Sequence, residues 1–196
     1  MSLRLHNSLS DQKEDFVPLR EGWVTLYVCG PPVYNDSHLG HAKTYVSFDV
    51  ILRYLKYRGF STFYVQNITD VGHLMEDADE GEDKLLKRAR ELEMEPMAGA
   101  ETYTTRHFQA MDRMGVIRPD ICPRATGHIP EQLEAIEKMI EAGLAYEVNG
   151  SVYFDVSKDP EYGKLSNRSF EEMQEGARVE VRQEKRNPQD LSLIHI

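Results

Sequence analysis

The sequence lacks several features that would place the protein outside the cell or in a membrane. It has two cysteines in 196 residues, too few for a disulfide framework, and the cytosol would keep both reduced. No apolar run is long enough to cross a bilayer, and the first six residues contain no signal-peptide core. We therefore expect a cytoplasmic protein that makes no contact with a membrane.

Clustered positive charge is also missing. The formal net charge is −10, and no patch rich in Lys or Arg stands out. Nucleic-acid-binding domains usually carry such a patch because they neutralise phosphates. Any contact of this chain with RNA is therefore expected to be local, or to depend on surfaces elsewhere. The apolar content of 40% and the charged content of 29% are typical of a globular chain.

A strand–helix–strand pattern stands near the start of the chain. Residues 24–29 are nearly all apolar, as in a strand buried on both faces, and the Gly-Pro-Pro of residues 30–32 ends it. Apolar residues then recur at helical spacing over about 37–58, and residues 63–68 predict a second strand. Such a unit is right-handed with parallel strands, so we expect an α/β fold with a Rossmann-like parallel sheet.

Two polar stretches should meet at one edge of that sheet. Cys29 ends the first strand, and Asn67-Ile-Thr-Asp70 ends the second. Open α/β sheets bind ligands at the carboxyl ends of their strands. We therefore expect these residues to face one crevice.

The intervening helix begins with two histidines. His38 and His41 lie three residues apart, on one face of a helix start whose free N–H groups and dipole attract phosphate. Their imidazoles can donate hydrogen bonds to phosphate oxygens, and Gly40 leaves bare backbone for an adenine ring. The pattern favours nucleotidyl transfer, in which a carboxylate attacks the α-phosphate of ATP. A four-residue pattern such as His-x-Gly-His also occurs by chance, but the strand, turn and helix around this one favour the functional interpretation.

Cys29 has two interpretations at this stage. A cysteine at the end of a buried strand is often a small apolar side chain. It could also be a metal ligand, although zinc needs four ligands, or three and a substrate. The residues alone leave both interpretations open.

The rest of the chain departs from this pattern. Helices are predicted near 83–94 and 98–114, and His107 lies on an apolar stripe of the second, where packing is the expected role. Residues 119–126 are a candidate third strand. An amphipathic helix up to Gly143 and a hairpin turn at Asn149-Gly150 follow.

Three regions follow from these patterns. Residues 1–124 are interpreted as the first half of the nucleotide-binding domain and residues 125–190 as an insertion. Residues 191–196 are hypothesised to be a non-native tail, the translation of a sequencing-library adapter, which should be left out of fold reasoning. Genomic DNA across this junction tests the hypothesis; a native gene that stops after Ile196 would refute it.

Sequence blocks spread over residues 3–190 resemble cysteinyl-tRNA synthetase, a class I aminoacyl-tRNA synthetase. They follow that family in order and spacing. The blocks are residues 5–10, 27–34, 38–41, 44–49, 53–59, 64–70, 119–126, 162–166, 176–179 and 185–188. The resemblance implies ATP-dependent activation of cysteine to cysteinyl-adenylate and its transfer to tRNA(Cys). It also implies that the insertion is a partial connective peptide.

The same resemblance implies roles for site residues. His38, Gly40 and His41 match the HIGH motif, with Leu39 in the place of Ile, and the resemblance implies that they and Gly30 bind ATP with Mg²⁺. His38 and His41 are the implied catalytic residues. Cys29 matches the first of four ligands to one Zn²⁺ that holds the substrate thiolate and rejects serine. The residues implied to line the substrate pocket are Cys29, Tyr34, Asn67, Thr69 and Asp70.

The chain departs from the family pattern in several places. Pro32 stands where the family usually has Thr, and Val71-Gly-His-Leu replaces Ile-Asp-Asp-Lys, so any role of those aspartates is in doubt. His73 is a candidate replacement contact, with a plain loop histidine as the favoured interpretation. Cys122 matches no zinc position. The other three zinc ligands, the KMSKS loop and the anticodon-binding domain lie beyond residue 190 in the family, so we expect a monomeric parent enzyme and an inactive piece.

Three alternatives are weighed against this interpretation. A cysteine-adenylating ligase of mycothiol synthesis shares the fold, zinc and HIGH motif, but residues 176–179 and 185–188 favour the synthetase. A non-catalytic paralogue would not need the intact Cys29 and histidine pair. A cytidylyltransferase has its own His-x-Gly-His but no use for Cys29. A downstream anticodon-binding domain would separate the first alternative from the synthetase.

Overall fold

The computed structural model describes residues 2–72, 83–167 and 184–194. The chain divides into two compact units. The βαβ unit comprises Pro18–Met75 and Glu82–Ile129, and the hairpin unit comprises Met1–Val17, Glu76–Gly81 and Pro130–Ile196. In the described part of the chain, none of the helices combines the length and apolar character needed to cross a membrane.

The described residues form seven strands and four α-helices. In chain order these are β1 (Arg4–Asn7), β2 (Gln12–Asp15), β3 (Trp23–Val28), α1 (Leu39–Tyr57), β4 (Ser61–Gln66), α2 (Lys84–Glu91), α3 (Pro96–Arg113), α4 (Ile129–Glu141), β5 (Ala145–Val148), β6 (Ser151–Phe154) and β7 (Leu191–Ile194). The hairpin of β1 and β2 was not anticipated from the sequence.

The predicted βαβ arrangement is confirmed. Strands β3 and β4 pair in parallel, from Trp23 opposite Ser61 to Val28 opposite Gln66, and α1 connects them. Each strand starts one or two residues earlier than predicted. Cys29 and Asn67 therefore lie just beyond the strand ends, where the backbone is free to turn towards a ligand.

Two clusters of buried side chains hold the helices against this sheet. Residues of the strands, α1 and α3 meet in one cluster, which comprises Val28, Tyr45, Leu52, Tyr64 and Met111. The turn after β3, the end of β4, α2 and α3 meet in the other, which comprises Val33, Ile68, Leu85, Ala100 and Tyr103. The second cluster lies under the loops that carry the candidate site.

The candidate third strand over 119–126 is formed only in part. The segment runs alongside β4 and the residues after it, and it makes two isolated parallel bridges, Val65 with Ile121 and Ile68 with Arg124. Pro119 and Pro123 lack the N–H groups that a ladder needs. The Asp120 carboxylate instead accepts the Tyr64 N–H at 2.7 Å, so a side chain replaces one strand contact.

Helix α2 lies within its predicted range, and α3 begins two residues before its predicted start. Asp83 caps α2 by accepting the backbone N–H groups of Leu85 and Leu86. Pro96 lies between the two predicted ranges, but it occupies the first turn of α3, where its missing N–H costs nothing. His107 is buried on α3, which confirms the predicted packing role.

The hairpin unit contains the predicted hairpin. Strands β5 and β6 pair in antiparallel fashion around Asn149 and Gly150, whose φ values of 51° and 83° suit a type I′ turn. The amphipathic helix is α4, and none of its residues is buried within the described part of the chain. Strand β7 pairs with β6, so residues of the hypothesised tail take part in this sheet. The region boundaries and the origin of the tail remain predictions.

Candidate active site

The turn after β3 is fixed by a close approach to the end of β4. A Cβ atom on Gly30 would lie 1.4 Å from the carbonyl oxygen of Asn67 and 2.5 Å from its carbonyl carbon. Only glycine fits there, because the neighbouring atoms are backbone and cannot rotate away. Gly30, the residue after Cys29, therefore allows the backbone that follows β3 to contact the backbone that follows β4.

The Asn67 side chain strengthens this contact. Its Oδ1 accepts the Gly30 N–H at 2.7 Å and the Tyr27 hydroxyl at 2.9 Å, and its Nδ2 donates to the Thr69 hydroxyl at 3.1 Å. Because of these hydrogen bonds, the Asn67 side chain stabilises the conformation of the turn after β3. It was predicted to line the substrate pocket, and that assignment stays a prediction.

Backbone bonds extend the same contact by a few residues. The Thr69 N–H donates to the Pro31 carbonyl, and the Val33 N–H donates to the Thr69 carbonyl, both at 3.3 Å. Pro32, which stands where the family usually has Thr, lies opposite Thr69 in a parallel bridge. The two loops thus run side by side beyond the strands.

Cys29 carries an exposed thiol at this turn. Its exposure disfavours the interpretation as a packed apolar side chain. The buried Tyr45 of α1 donates its hydroxyl to the Cys29 carbonyl at 3.2 Å, which holds the backbone of this turn without using the thiol. Burial raises the pKa of Tyr45 to about 12, so the hydroxyl stays a donor.

Histidine side chains cap the start of α1. His38 has extended backbone geometry, and its Nδ1 accepts the Gly40 N–H at 3.0 Å. His41 Nδ1 in turn accepts the His38 N–H at 3.1 Å. Each ring thus satisfies one of the amide groups that a helix start leaves without a partner.

This arrangement decides which ring nitrogen can reach a ligand. Because both Nδ1 atoms accept hydrogen bonds, each neutral ring carries its proton on Nε2. The ring centroids are 4.1 Å apart, so two Nε2 donors stand together at the positive end of the helix. Burial, and then the neighbouring His38, lower the pKa of His41 and favour its neutral form.

Gly40 is needed by the cap itself. A Cβ atom there would lie 2.8 Å from Cε1 and 3.0 Å from Nδ1 of the His38 ring. A larger residue would displace that ring and break the bond to the Gly40 N–H. The sequence argument gave Gly40 a role towards adenine, and the structure adds this second reason.

Two of the predicted pocket residues have partners inside the fold. Asp70 is 1% exposed, and its carboxylate accepts the backbone N–H and the hydroxyl of Thr126 at 3.0 and 2.6 Å. Tyr34 is half-buried with the Lys84 ammonium 5.8 Å from its ring centroid. Their assignment to the pocket stays a prediction, and His73 lies outside the described residues.

A metal centre is not assembled by the described residues. They contain no group of three or more His, Cys, Asp or Glu side chains placed to hold an ion. Cys29 can therefore offer a single ligand. Cys122 is half-buried against the second core cluster, and burial raises the pKa of its thiol, as expected of a structural cysteine.

Sequence reasoning missed the residues that support the site. Tyr27 and Tyr45 read as strand and helix core positions, and Ser37 reads as a turn residue. Each forms a hydrogen bond to a residue far along the chain. The spacing of Tyr27 and Cys29, which puts both on one face of a strand, was the one available signal.

Comparison with known families gives a match over most of the chain. Residues 15–195 match the model described as tRNA synthetases class I (C) catalytic domain. A cysteine–tRNA ligase of Chlorobaculum tepidum is 56% identical over 197 residues, which cover 98% of this chain and 40% of that protein. A cysteine–tRNA ligase of Deinococcus radiodurans is 55% identical, with 98% and 39% covered. The chain thus spans about two fifths of the length of these relatives.

A solved structure supports the fold. The LeuRS of Agrobacterium radiobacter K84, in a ternary complex with tRNA and LeuAMS, superposes with a TM-score of 0.51 at 19% identity. The superposition covers 67% of this chain and 16% of that one. At this identity the likeness concerns the α/β architecture alone, which agrees with the predicted Rossmann-like sheet.

Proposed function

Since this chain belongs to the family of class I (C) tRNA synthetase catalytic domains, we propose that the full protein attaches cysteine to tRNA(Cys). The observation that supports the proposal is the paired imidazole cap of α1, in which both Nδ1 atoms accept backbone N–H groups and both Nε2 atoms remain as donors; Tyr45 of the same helix bonds the Cys29 carbonyl. ATP with Mg²⁺, cysteine and tRNA(Cys) are the proposed substrates.

The first step is formation of cysteinyl-adenylate. The cysteine carboxylate oxygen attacks the α-phosphorus of ATP, a new P–O bond forms, and the bond to the β-phosphate breaks to release pyrophosphate. Negative charge builds on the phosphate oxygens during this step. His38 and His41 donate from Nε2 to those oxygens, while the start of α1 adds its dipole.

Cysteine selection is assigned to the turn after β3. The exposed Cys29 thiol fits the role of one ligand to a Zn²⁺ whose other ligands lie outside the described residues. When bound, zinc favours the substrate thiolate over a serine hydroxyl. Tyr45 and Asn67 hold the backbone around Cys29, so that the thiol keeps one position.

Recognition of tRNA is assigned mainly to parts of the protein outside this chain. The net charge of −10 supports this, because a large phosphate-binding surface would need clustered cations. Transfer to tRNA is therefore proposed for the full protein, which we infer to be a cytoplasmic monomer. The 196-residue chain alone is expected to form no adenylate.

The test is cysteine-dependent exchange of labelled pyrophosphate into ATP by the full-length protein. Exchange with cysteine but not with serine, and formation of a cysteinyl ester only on tRNA(Cys), would support the proposal. His41→Ala should lower kcat/KM by about 100-fold, because a donor to transition-state charge is lost. Transfer of cysteine to an amino-sugar in place of tRNA, or no exchange at all, would contradict it.

A further inference from the structure

A buried histidine on α3 contacts the start of α1 from behind. His107 is 2% exposed, and its Nδ1 lies 2.8 Å from the Ser37 hydroxyl. Its Nε2 is buried without a hydrogen-bond partner among the described residues. A buried polar atom left unsatisfied lowers stability, so packing alone does not account for an imidazole here.

The partner of His107 sits at a sensitive point of the chain. Ser37 immediately precedes His38, the residue that caps α1 and accepts the Gly40 N–H. A bond from α3 to Ser37 therefore limits the path by which the chain enters the helix. Displacement of Ser37 would rotate the His38 ring, and the Nε2 donors would move with it.

The same ring also supports the Cys29 turn. The edge of the His107 ring packs against Tyr45, with centroids 5.1 Å apart at an interplanar angle of 72°. Tyr45 donates its hydroxyl to the Cys29 carbonyl. One side chain of α3 thus contacts the residues that hold both the imidazole pair and the cysteine turn.

We propose that His107 is a positioning residue that, through Ser37 and Tyr45, fixes the first turn of α1 relative to the turn of Cys29. This inference rests on the proposed function for its catalytic consequence, but its structural part stands on the geometry. Burial, and then the charge of His41, lower the pKa of His107 to about 4. The ring is therefore neutral near pH 7, in keeping with its burial.

The variants separate the hydrogen bond from the ring. His107→Phe keeps a ring against Tyr45 and removes the bond to Ser37, and Ser37→Ala removes the same bond from its other side. His107→Asn places an amide atom near the Nδ1 position and can restore it. Thr104→Val is the matched control, since Thr104 is a buried polar residue of α3 whose hydroxyl bonds its own helix at Ala100.

The first readout is pyrophosphate exchange by the full-length protein with ATP and cysteine. We expect His107→Phe and Ser37→Ala each to lower kcat/KM for ATP by about tenfold, and the double variant to lose little more, because they remove one interaction. His107→Asn should recover activity to within about threefold, and Thr104→Val should match the wild type. Additive losses, or an equal loss in Thr104→Val, would overturn the proposal.

The second readout does not depend on activity. Hydrogen exchange of the Gly40 and Ala42 amides reports the first turn of α1, because both bond to His38. His107→Phe and Ser37→Ala should speed exchange there about tenfold relative to Thr104→Val. If the wild type lacks cysteine-dependent exchange but these amides respond, the proposed function fails and the positioning role holds. Unchanged amide rates would overturn the positioning role.

Discussion

The βαβ unit and the hairpin unit each bury a carboxylate, but they satisfy it differently. Asp70 and Asp190 are both 1% exposed. Each carboxylate oxygen of Asp70 accepts one hydrogen bond from Thr126, one from the backbone N–H and one from the hydroxyl. Asp190 receives Tyr146 and Asn187 on Oδ2, while Oδ1 has no partner within the residues the structure describes. Of the two carboxylates, the one in the unit that carries the candidate site is thus the more fully paired, although each unit leaves two buried side-chain atoms without a partner among the described residues.

The difference extends to the distances along the sequence that these contacts join. In the βαβ unit, Gly30 meets Asn67 and Ser37 meets His107, 37 and 70 residues apart. In the hairpin unit, the turn between β5 and β6 at Asn149 and Gly150 is local, although Tyr146 of β5 also bonds Asp190, 44 residues away. We therefore expect substitutions at the long-range contacts to cost more than substitutions at the local turn.

The largest effect is expected at Gly30. In Gly30→Ala the new Cβ would lie 1.4 Å from the Asn67 carbonyl oxygen, so the two strand ends must separate. The free energy of unfolding should fall by more than about 4 kcal/mol, or the βαβ unit should fail to fold. Urea denaturation of the purified chain measures this.

A matched control exists in the same unit. Gly22 has a positive φ of 68°, which Gly30 lacks, and nothing lies within 4 Å of its Cβ position. Gly22→Ala should therefore cost only about 1 kcal/mol, the cost of a left-handed backbone. Equal losses at the two glycines would show that the close approach to Asn67 costs no more than a left-handed backbone.

The second effect is a loss of stability in acid that arises from His107. Unfolded histidine takes up a proton near pH 6.5, whereas folded His107 resists it until about pH 4. Between these values the unfolded state binds more protons, so stability falls as the pH falls, by up to about 3 kcal/mol. The measurement is the urea midpoint between pH 7 and pH 4.

The control for this prediction is His107→Phe, which has no proton to bind at this position. Its stability should be lower at pH 7 but should decline less steeply in acid than that of the wild type. The other six histidines of the chain remain in both proteins, so their contribution cancels. Parallel pH profiles of the two proteins would contradict the assignment to His107.

The carboxylates of Asp70 and Asp190 supply the third test. Asp70→Ala should cost about 3 kcal/mol, because two Thr126 donors lose their partner. Asp190→Ala should cost about 1 kcal/mol, since it also removes the unpaired Oδ1. Thermal unfolding of the two variants measures the difference, and a larger loss for Asp190→Ala would reverse the comparison.

The same contrast between local and long-range contacts separates the features that the sequence predicted from those that it did not. Strands, helices and the Asn149-Gly150 turn follow from signals within a few residues, and they appear close to the expected positions. The candidate third strand over 119–126 pairs only in part, because Pro119 and Pro123 have no N–H group to donate to a ladder. His38 and His41 were identified because a helix start concentrates their chemistry in four residues.

The supporting contacts of the site could not be predicted in this way. That Asn67 bonds Gly30, or that His107 meets Ser37, depends on how the strands and α3 pack, and no local pattern encodes it. Gly30 was expected because the chain makes a tight turn there. The structure shows that glycine is needed because the Asn67 carbonyl, just beyond β4, leaves no room for a side chain. Residue type thus indicated the chemistry, while packing determined which residues position it.

The smallest effect is expected at the hairpin turn. Gly150 has a φ of 83°, so Gly150→Ala places a Cβ in a left-handed backbone and should cost about 1 kcal/mol. The loss should stay within the hairpin unit, because β5 and β6 pair only around this turn and with β7 in the described residues. Amide hydrogen exchange should then be faster at Tyr146 and Val152 and unchanged at Gly40. A change at Gly40 would show that the two units are energetically coupled, and the contrast between local and long-range contacts would no longer separate them.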